Sequence, residues 1–260
     1  MAMERHKQRS FEFLLFRKIL HSTTLSLTTP PTNPESFGVH LFPNNPRDSP
    51  FIVNHFGQCY DEERRVNIFM EDMEGGDLSS LSMRCKRLPE MVIKAYTTSI
   101  LKGLQYLHGN GIIHCDIKAK NVVLGFLGEV KLANFGAAKR ISNDLLDIHD
   151  RTLGWMAPEI SKGREQGMPS DIWSLSCTVV EMTTGKVPYL SPEKLKFTGI
   201  LDCNLDFLGK CFMREPSERW MASQLHRHPF FASAHLNKYF HQVLYSTIYR
   251  LLNEKSGLIP

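Results

Sequence analysis

The stretch His114-Cys115-Asp116-Ile117-Lys118-Ala119-Lys120-Asn121 decides how this chain reads. It has the form H-x-D-x-K-x-x-N. A carboxylate, an ammonium and a side-chain amide this close together suit phosphoryl transfer. Asp116 can accept a hydroxyl proton, Lys118 can neutralise a transferring phosphate, and Asn121 can ligate Mg²⁺. On its own the stretch is equally well read as a charged loop that happens to hold these residue types. What lies on either side of it tips the balance.

Upstream, Pro89 opens a helix in its first turn. Val92, Tyr96, Ile100, Leu104 and Leu107 repeat every three or four residues and give that helix one buried face. Gly109-Asn110-Gly111 ends it. Further upstream, Phe51–Val53 and Val66–Met70 read as strands, joined as a hairpin by the charged turn Asp61–Arg65. Downstream, Asn121–Leu124 and Val130–Leu132 read as short strands around Gly125 and Gly128. Asn134-Phe135-Gly136 follows the second of them. Met156-Ala157-Pro158-Glu159 comes about twenty residues later. Ser170 caps a helix that begins Asp171-Ile172-Trp173 and runs to Gly185. A further helix opens at Arg219 and ends near Leu225. Leu236, Phe240, Leu244, Ile248 and Leu251 have helical spacing, so residues 232–260 read as a docked terminal helix.

Residues 1–50 differ in character. Phe11–Leu20 reads as a short strand or helix, and Phe11–Phe16 is a candidate edge strand. From His21 to Pro50, Pro30, Pro31, Pro34, Pro43, Pro46 and Pro50 forbid a long helix, and the stretch reads as loop. The chain has 260 residues, 42% of them apolar, and a net charge of +4, which fits a globular protein and gives no case for nucleic-acid binding. No apolar run is long enough to span a membrane. The six cysteines include no C-x-x-C pair, so a structural metal is not expected, and scattered thiols fit a reducing compartment. A cytoplasmic location, with the nucleus as a second, follows as an expectation. The basic start has neither the apolar length nor the cleavage site of a signal peptide, and Glu4 and Glu12 count against a transit peptide.

Taken in order, the motifs resemble the catalytic loop, metal-binding triplet, A-P-E and later elements of a eukaryotic Ser/Thr protein kinase. His114–Lys118, Gly154–Glu159, Ser170–Met182 and Phe207–Cys211 are similar to the MEKK-like MAP kinase kinase kinases, the plant group in particular. The resemblance covers residues 51–231. It implies an α+β protein-kinase-like fold with a mainly helical C-lobe and an incomplete N-lobe sheet, ATP and Mg²⁺ as cofactors, and MAP kinase kinases as partners. By the same resemblance, Asp116 is the catalytic base, Lys118 its companion in Ser/Thr kinases, and Asn121 a metal and nucleotide ligand. Glu71 and Met73, after the gatekeeper Met70, match hinge positions whose backbone groups hold adenine, and Asp77 lies near the ribose edge. The resemblance also matches Thr152 to the Thr that packs against the catalytic loop, Glu159 and Arg219 to a buried ion pair, and Asp171 to the acid that braces the catalytic loop by backbone hydrogen bonds. His114 reads as a packed, hydrogen-bonded histidine and Cys115 as a small buried hydrophobe. Phe135 and Gly136 complete the metal triplet as structural residues.

The chain departs from the family pattern in three places. The triplet has Asn134 where the family has Asp, and an uncharged amide oxygen holds Mg²⁺ less firmly. Losing one preorganised electrostatic group costs about 3–4 kcal/mol. Residues 1–50 contain one glycine, Gly38, and two lysines, Lys7 and Lys18, so neither a glycine-rich phosphate loop nor a strand lysine is recognisable, and Glu35 is a poor helix site for a partner acid. The stretch Val187–Leu208 is compressed, and Pro188, Pro192 and Gly199 leave little room for helix. In addition, Cys115 replaces an Arg that in the family meets a phosphorylated activation loop.

Two functions of different class follow. The preferred one is a degenerate kinase that acts by binding partners of active MAP kinase kinase kinases. The alternative is a weak ATP-dependent Ser/Thr kinase using Asp116, Lys118 and Asn121. A damaged or mis-joined gene product is a third reading that the sequence leaves open.

Overall fold

A computed structural model describes residues 21–25, 49–60, 66–126, 128–141, 153–188 and 202–231. Thr152, the strand or helix over 11–20 and the terminal helix over 232–260 lie outside them. Three antiparallel strands come first: β1 (His21–Leu25), β2 (His55–Tyr60) and β3 (Val66–Met70), in sheet order β1-β3-β2. His21 faces Met70 and Leu25 faces Val66, while Tyr60 faces Val66 across the hairpin.

Two sequence expectations change here. His21–Leu25 is a strand although it lies in the segment read as loop. The prolines that set that reading begin only at Pro30, and Thr23 and Thr24 are β-branched strand formers. The hairpin exists, but its first arm is His55–Tyr60 and not Phe51–Val53. Phe51–Val53 instead runs beside a later strand: Ile52 bridges Leu132 in parallel, Val53 N–H donates to Leu132 O at 2.9 Å, and Leu132 N–H donates to Phe51 O at 2.8 Å.

Helix α1 (Leu78–Cys85) has no counterpart in the sequence reading; Asp77 caps it by accepting from the Ser80 N–H at 2.9 Å. Helix α2 (Glu90–Gly109) is the one the apolar stripe predicts. Val92, Tyr96, Ile100, Leu104 and Leu107 are all buried in it, and Gly111 beyond its end has φ +70°. Strand β4 (Ile112–Ile113) leads into the loop and a single 3₁₀ turn, Ala119–Asn121. Strands β5 (Val122–Leu124) and β6 (Val130–Leu132) pair antiparallel, and β7 (Lys139–Arg140) pairs with β4.

Helix α3 (Pro158–Ser161) precedes α4 (Met168–Thr184). The N-cap of α4 is Gly167 and not Ser170, because Pro169 fits the first turn of a helix and lets it start earlier. Helix α5 (Asp202–Cys211) begins inside the stretch Val187–Leu208, read as leaving little room for helix; Pro188, Pro192 and Gly199 all stand ahead of it. Helix α6 (Ala222–Leu225) is a single turn, and Arg219 lies before it in extended backbone. A 3₁₀ turn, Pro229–Phe231, closes the described chain.

Helices α2 and α4 carry the core. Leu101, Leu104 and Leu107 pack with Leu175, Val179 and Met182, and Phe207, Leu225 and Phe230 extend the same cluster. Each such side chain contributes about 1.5–3 kcal/mol on burial. Phe207 stacks on Phe230 with ring centres 4.9 Å apart, which fastens α5 to the final turn. The ends of α1 and α4 meet at Gly185. Its φ is +65°, and a Cβ there would collide with the Lys86 carbonyl. Gly185→Ala is therefore expected to cost about 2 kcal/mol or more, read as a lowered urea midpoint with an unchanged slope.

Candidate functional site

The site is built on the first turn of α4. Asp171 is fully buried there, and a buried carboxylate needs donors. It has three. Its Oδ2 accepts from the His114 backbone N–H at 2.9 Å and lies 2.9 Å from His108 Nε2, and its Oδ1 accepts from the Cys115 N–H at 2.9 Å. Cys115 has φ +68°, a left-handed conformation that costs a non-glycine residue energy and that these bonds hold in place. The Cys115 side chain is half-buried rather than buried, with its Sγ 3.6 Å from the Ile113 carbonyl.

His114 is wholly enclosed, and burial lowers its pKa and keeps the ring neutral. Its Nε2 lies 3.1 Å from the Ala133 carbonyl, so that nitrogen carries the proton; Nδ1 accepts from the Asp116 N–H at 3.3 Å. The ring packs on Phe135 at 4.9 Å. One neutral histidine thus ties the catalytic-type loop to the 134–136 turn.

That placement assembles a polar ladder. Lys118 Nζ lies 2.8 Å from Asp116 Oδ2. Asn121 Nδ2 donates to the same oxygen at 2.7 Å and to the Asp116 carbonyl at 2.7 Å. Asn134 Nδ2 donates to Asn121 Oδ1 at 3.0 Å. Asn134 itself has φ +64° and opens the 3₁₀ turn Phe135–Ala137, in which Phe135 is buried and a Cβ on Gly136 would meet Asn134 Oδ1 at 3.6 Å. Asp116, Lys118, Asn121 and Asn134 are therefore in one connected group.

The other candidates stand apart from it. The Glu71 carboxylate pairs with Lys131 Nζ at 2.6 Å and accepts from the Asn54 N–H at 3.1 Å, while the Glu71 N–H donates to the Asn54 carbonyl at 2.9 Å. The Met73 carbonyl accepts from the Gly76 N–H at 3.1 Å. The Asp77 carboxylate is engaged in capping α1. This hinge-like segment is sewn to β5, with Gly75 N–H on Leu124 O and Leu124 N–H on Gly76 O, both at 2.8 Å. Glu159 and Arg219 form a buried two-pronged pair at 2.7 and 3.0 Å.

Sequence reasoning missed Glu181. It is buried on α4, accepts from Ser79 Oγ at 2.7 Å and faces the Ala119 N–H at 3.4 Å; burial raises its pKa. The signal was present in the sequence: a lone carboxylate within the otherwise uncharged run Leu175–Met182 must find donors. Gln166, which donates to the Cys115 carbonyl at 2.9 Å, carries no such signal.

The family resemblance implies Mg²⁺ bound between Asn121 and Asn134. Mg²⁺ demands hard oxygens in octahedral array and is held by carboxylates together with substrate phosphates. Here Asn121 Oδ1 already accepts the Asn134 amide, and Asp116 Oδ2 already meets Lys118 and Asn121. One carboxylate, one ammonium and two neutral amides sum to no net charge. These residues do not fit a divalent cation. Among the described residues no group of three or more His, Cys, Asp or Glu side chains could hold a metal, and no helix is long and apolar enough to cross a membrane.

The family model for the protein kinase domain matches residues 44–231. The chain belongs to the protein kinase family. This kinase-family chain is 38% identical over 205 residues to mitogen-activated protein kinase kinase kinase 17 of Arabidopsis thaliana, covering 70% of this chain and 55% of that protein. It is 38% identical over 207 residues to mitogen-activated protein kinase kinase kinase 19 of Homo sapiens, covering 71% and 16% respectively. Kinase kinase kinase 3 of Arabidopsis thaliana matches at 38% over 202 residues, 70% of this chain and 31% of that protein. The chain thus spans little more than half of the first of these relatives and less of the others. A solved chain of the CAK complex of Chaetomium thermophilum, bound to ATP-gamma-S, superposes with a TM-score of 0.69 at 18% identity, covering 82% of each chain. That likeness is one of fold: the α+β protein-kinase fold that the motifs implied. The resemblance to the MEKK-like class is likewise borne out.

Proposed function

We propose that this chain is a catalytically impaired protein kinase of the mitogen-activated protein kinase kinase kinase class, acting by binding components of that pathway, MAP kinase kinases in particular. The observation that carries the reading is Asn134. At the triplet position it offers an amide, and that amide is bonded to Asn121, the other candidate metal ligand, at 3.0 Å. Phosphoryl transfer depends almost wholly on positioning and on electrostatic stabilisation of the phosphates, so a neutral pair at this point removes a main source of rate. The framework around the site argues for a formed surface and against a collapsed one. Asp171, His114 and the Glu159–Arg219 pair are all buried and all partnered, so the loop that bears Asp116 is held in a defined shape. Residues 51–231 act as the binding unit in this reading, in the cytoplasm or the nucleus, with β1 (His21–Leu25) lying at the edge of its sheet.

The alternative, a weak ATP-dependent Ser/Thr kinase, draws on Lys118, whose Nζ lies 2.8 Å from Asp116 Oδ2. In that reading Asp116 receives the substrate hydroxyl proton and Lys118 balances charge beside it.

The two separate in one experiment on the purified full chain, mixed with a panel of MAP kinase kinases and labelled ATP. The expected result is capture of at least one kinase kinase with no label transferred. Label transfer that vanishes in Asp116→Ala establishes the alternative, and failure to capture any kinase kinase removes the proposed partners. A melting experiment with nucleotide adds a second reading, since a ligand at 100 times its dissociation constant stabilises by about 2.7 kcal/mol.

A further inference from the structure

The orientation of two amides in the ladder, Asn121 and Asn134, is forced, and that carries a consequence for the ion. Asn121 faces two oxygens of Asp116, the backbone carbonyl and Oδ2, each 2.7 Å away. Only its NH₂ end can point there, since its own oxygen would be repelled by both. Asn121 Oδ1 is therefore turned toward residue 134, and what stands at 134 must donate. Asn134 does so, at 3.0 Å. An ionised aspartate at 134 has no proton to give. It would set a negative oxygen against Asn121 Oδ1, an arrangement that a cation between the two can relieve.

We propose that the Asn134–Asn121 amide pair stands in for a divalent ion as the clasp between the Asp116 loop and the 134–136 turn, so that this chain closes the two segments on each other without metal. The clasp has support on both sides. His114 Nε2 binds the Ala133 carbonyl, and the Ala133 N–H donates to the Asn121 carbonyl at 2.9 Å. Asn134, in the left-handed region, is thereby delivered to Asn121 by its neighbour's backbone. Asparagine tolerates that conformation better than most residues. The inference draws on the same residues as the proposed function but not on the identity of any partner.

The experiment is a set of melting curves of the full chain in EDTA, in millimolar Mg²⁺, and in Na⁺ of matched ionic strength. The wild-type chain is expected to melt at one temperature in all three. Asn134→Asp is expected to melt roughly 2–10 °C lower in EDTA and to recover in Mg²⁺ but not in Na⁺. Asn134→Ala is expected to fall similarly and to stay low in Mg²⁺. A wild-type chain raised by Mg²⁺ as much as Asn134→Asp overturns the proposal, as does an Asn134→Asp chain that is as stable as wild type in EDTA. If Asn134→Asp does not fold, Mn²⁺ titration of the wild-type chain followed by electron paramagnetic resonance decides. Mn²⁺ that stays free supports the clasp, and a bound ion displaced by Mg²⁺ refutes it. Each of these readouts is independent of kinase kinase capture, so either idea can fail alone.

Discussion

Replacing Arg219 with methionine is expected to destabilise the folded chain by about 3–5 kcal/mol, the cost of leaving a buried carboxylate without its partner. The guanidinium is fully enclosed and every one of its N–H groups is used. Two donate to the Glu159 oxygens at 2.7 and 3.0 Å, one to the Pro169 carbonyl at 2.6 Å, and two to the Met213 carbonyl at 3.1 and 2.9 Å. The side chain also lies 5.3 Å from the Trp173 ring centre. This one residue therefore joins the helix that follows Ala157, the start of α4 and the segment before α6. Arg219→Lys should recover little, because an ammonium has three donors and cannot span the fork. Most of the loss should come from the stranded Glu159 charge. The double variant Arg219→Met with Glu159→Leu is thus expected to be more stable than the sum of its parts by at least 1 kcal/mol, on the order of the coupling seen between groups in direct contact. Urea denaturation of the four chains measures this, and a single-variant cost below about 1 kcal/mol would show that the pair is not a structural tie.

The contrast between Asn134 and Arg219 shows what a sequence exposes and what it conceals. The H-x-D-x-K-x-x-N loop was legible because its chemistry is local: Asp116, Lys118 and Asn121 meet within one short turn of chain. The α2 stripe was legible because a buried helix face repeats every 3.6 residues. Strand β1 was not, since His21, two threonines and a serine with a single apolar residue, Leu25, give no apolar alternation, and only pairing with β3 makes them a strand. Helix α5 is concealed by its neighbours: Pro188, Pro192 and Gly199 all precede Asp202, and none of the three falls within the helix. The resemblance makes Asn121 an oxygen ligand, but in the fold its NH₂ faces Asp116 and its oxygen receives Asn134, a geometry set by Asp171, some fifty residues further along the chain, through the His114 backbone, and by Ala133. Asp77, expected near a ribose edge, also caps α1, a role that its place after Gly75-Gly76 did not disclose. Burial also settles the cysteines, pushing the Cys177 thiol up to about 12 and Cys211 upward as well, so neither is a ready nucleophile.

Asp171→Ala is the change expected to damage the site most directly. It removes the acceptor of the His114 and Cys115 backbone N–H groups and of the His108 ring, all at 2.9 Å. Each buried donor left without a partner costs about 1–3 kcal/mol, so a loss of about 2–5 kcal/mol in global stability is expected. The local effect should be larger than that figure suggests. Cys115 is held at φ +68° chiefly by these bonds, and once they are gone the residue can relax to an ordinary conformation. Relaxation there moves Asp116, the next residue, and with it the oxygen on which Lys118 and Asn121 converge. Hydrogen exchange over residues 113–121 separates the local from the global response. Exchange there should accelerate more than in α2, whose core is untouched. Asp171→Asn is the informative companion, because it keeps one acceptor oxygen but turns an NH₂ toward a backbone N–H. It should therefore protect one of the two amides and expose the other. If Asp171→Ala melts within about 2 °C of wild type and exchange over 113–121 is unchanged, the buried carboxylate is not what holds the loop, and the strained Cys115 is supported by packing and by the Gln166 bond to its carbonyl.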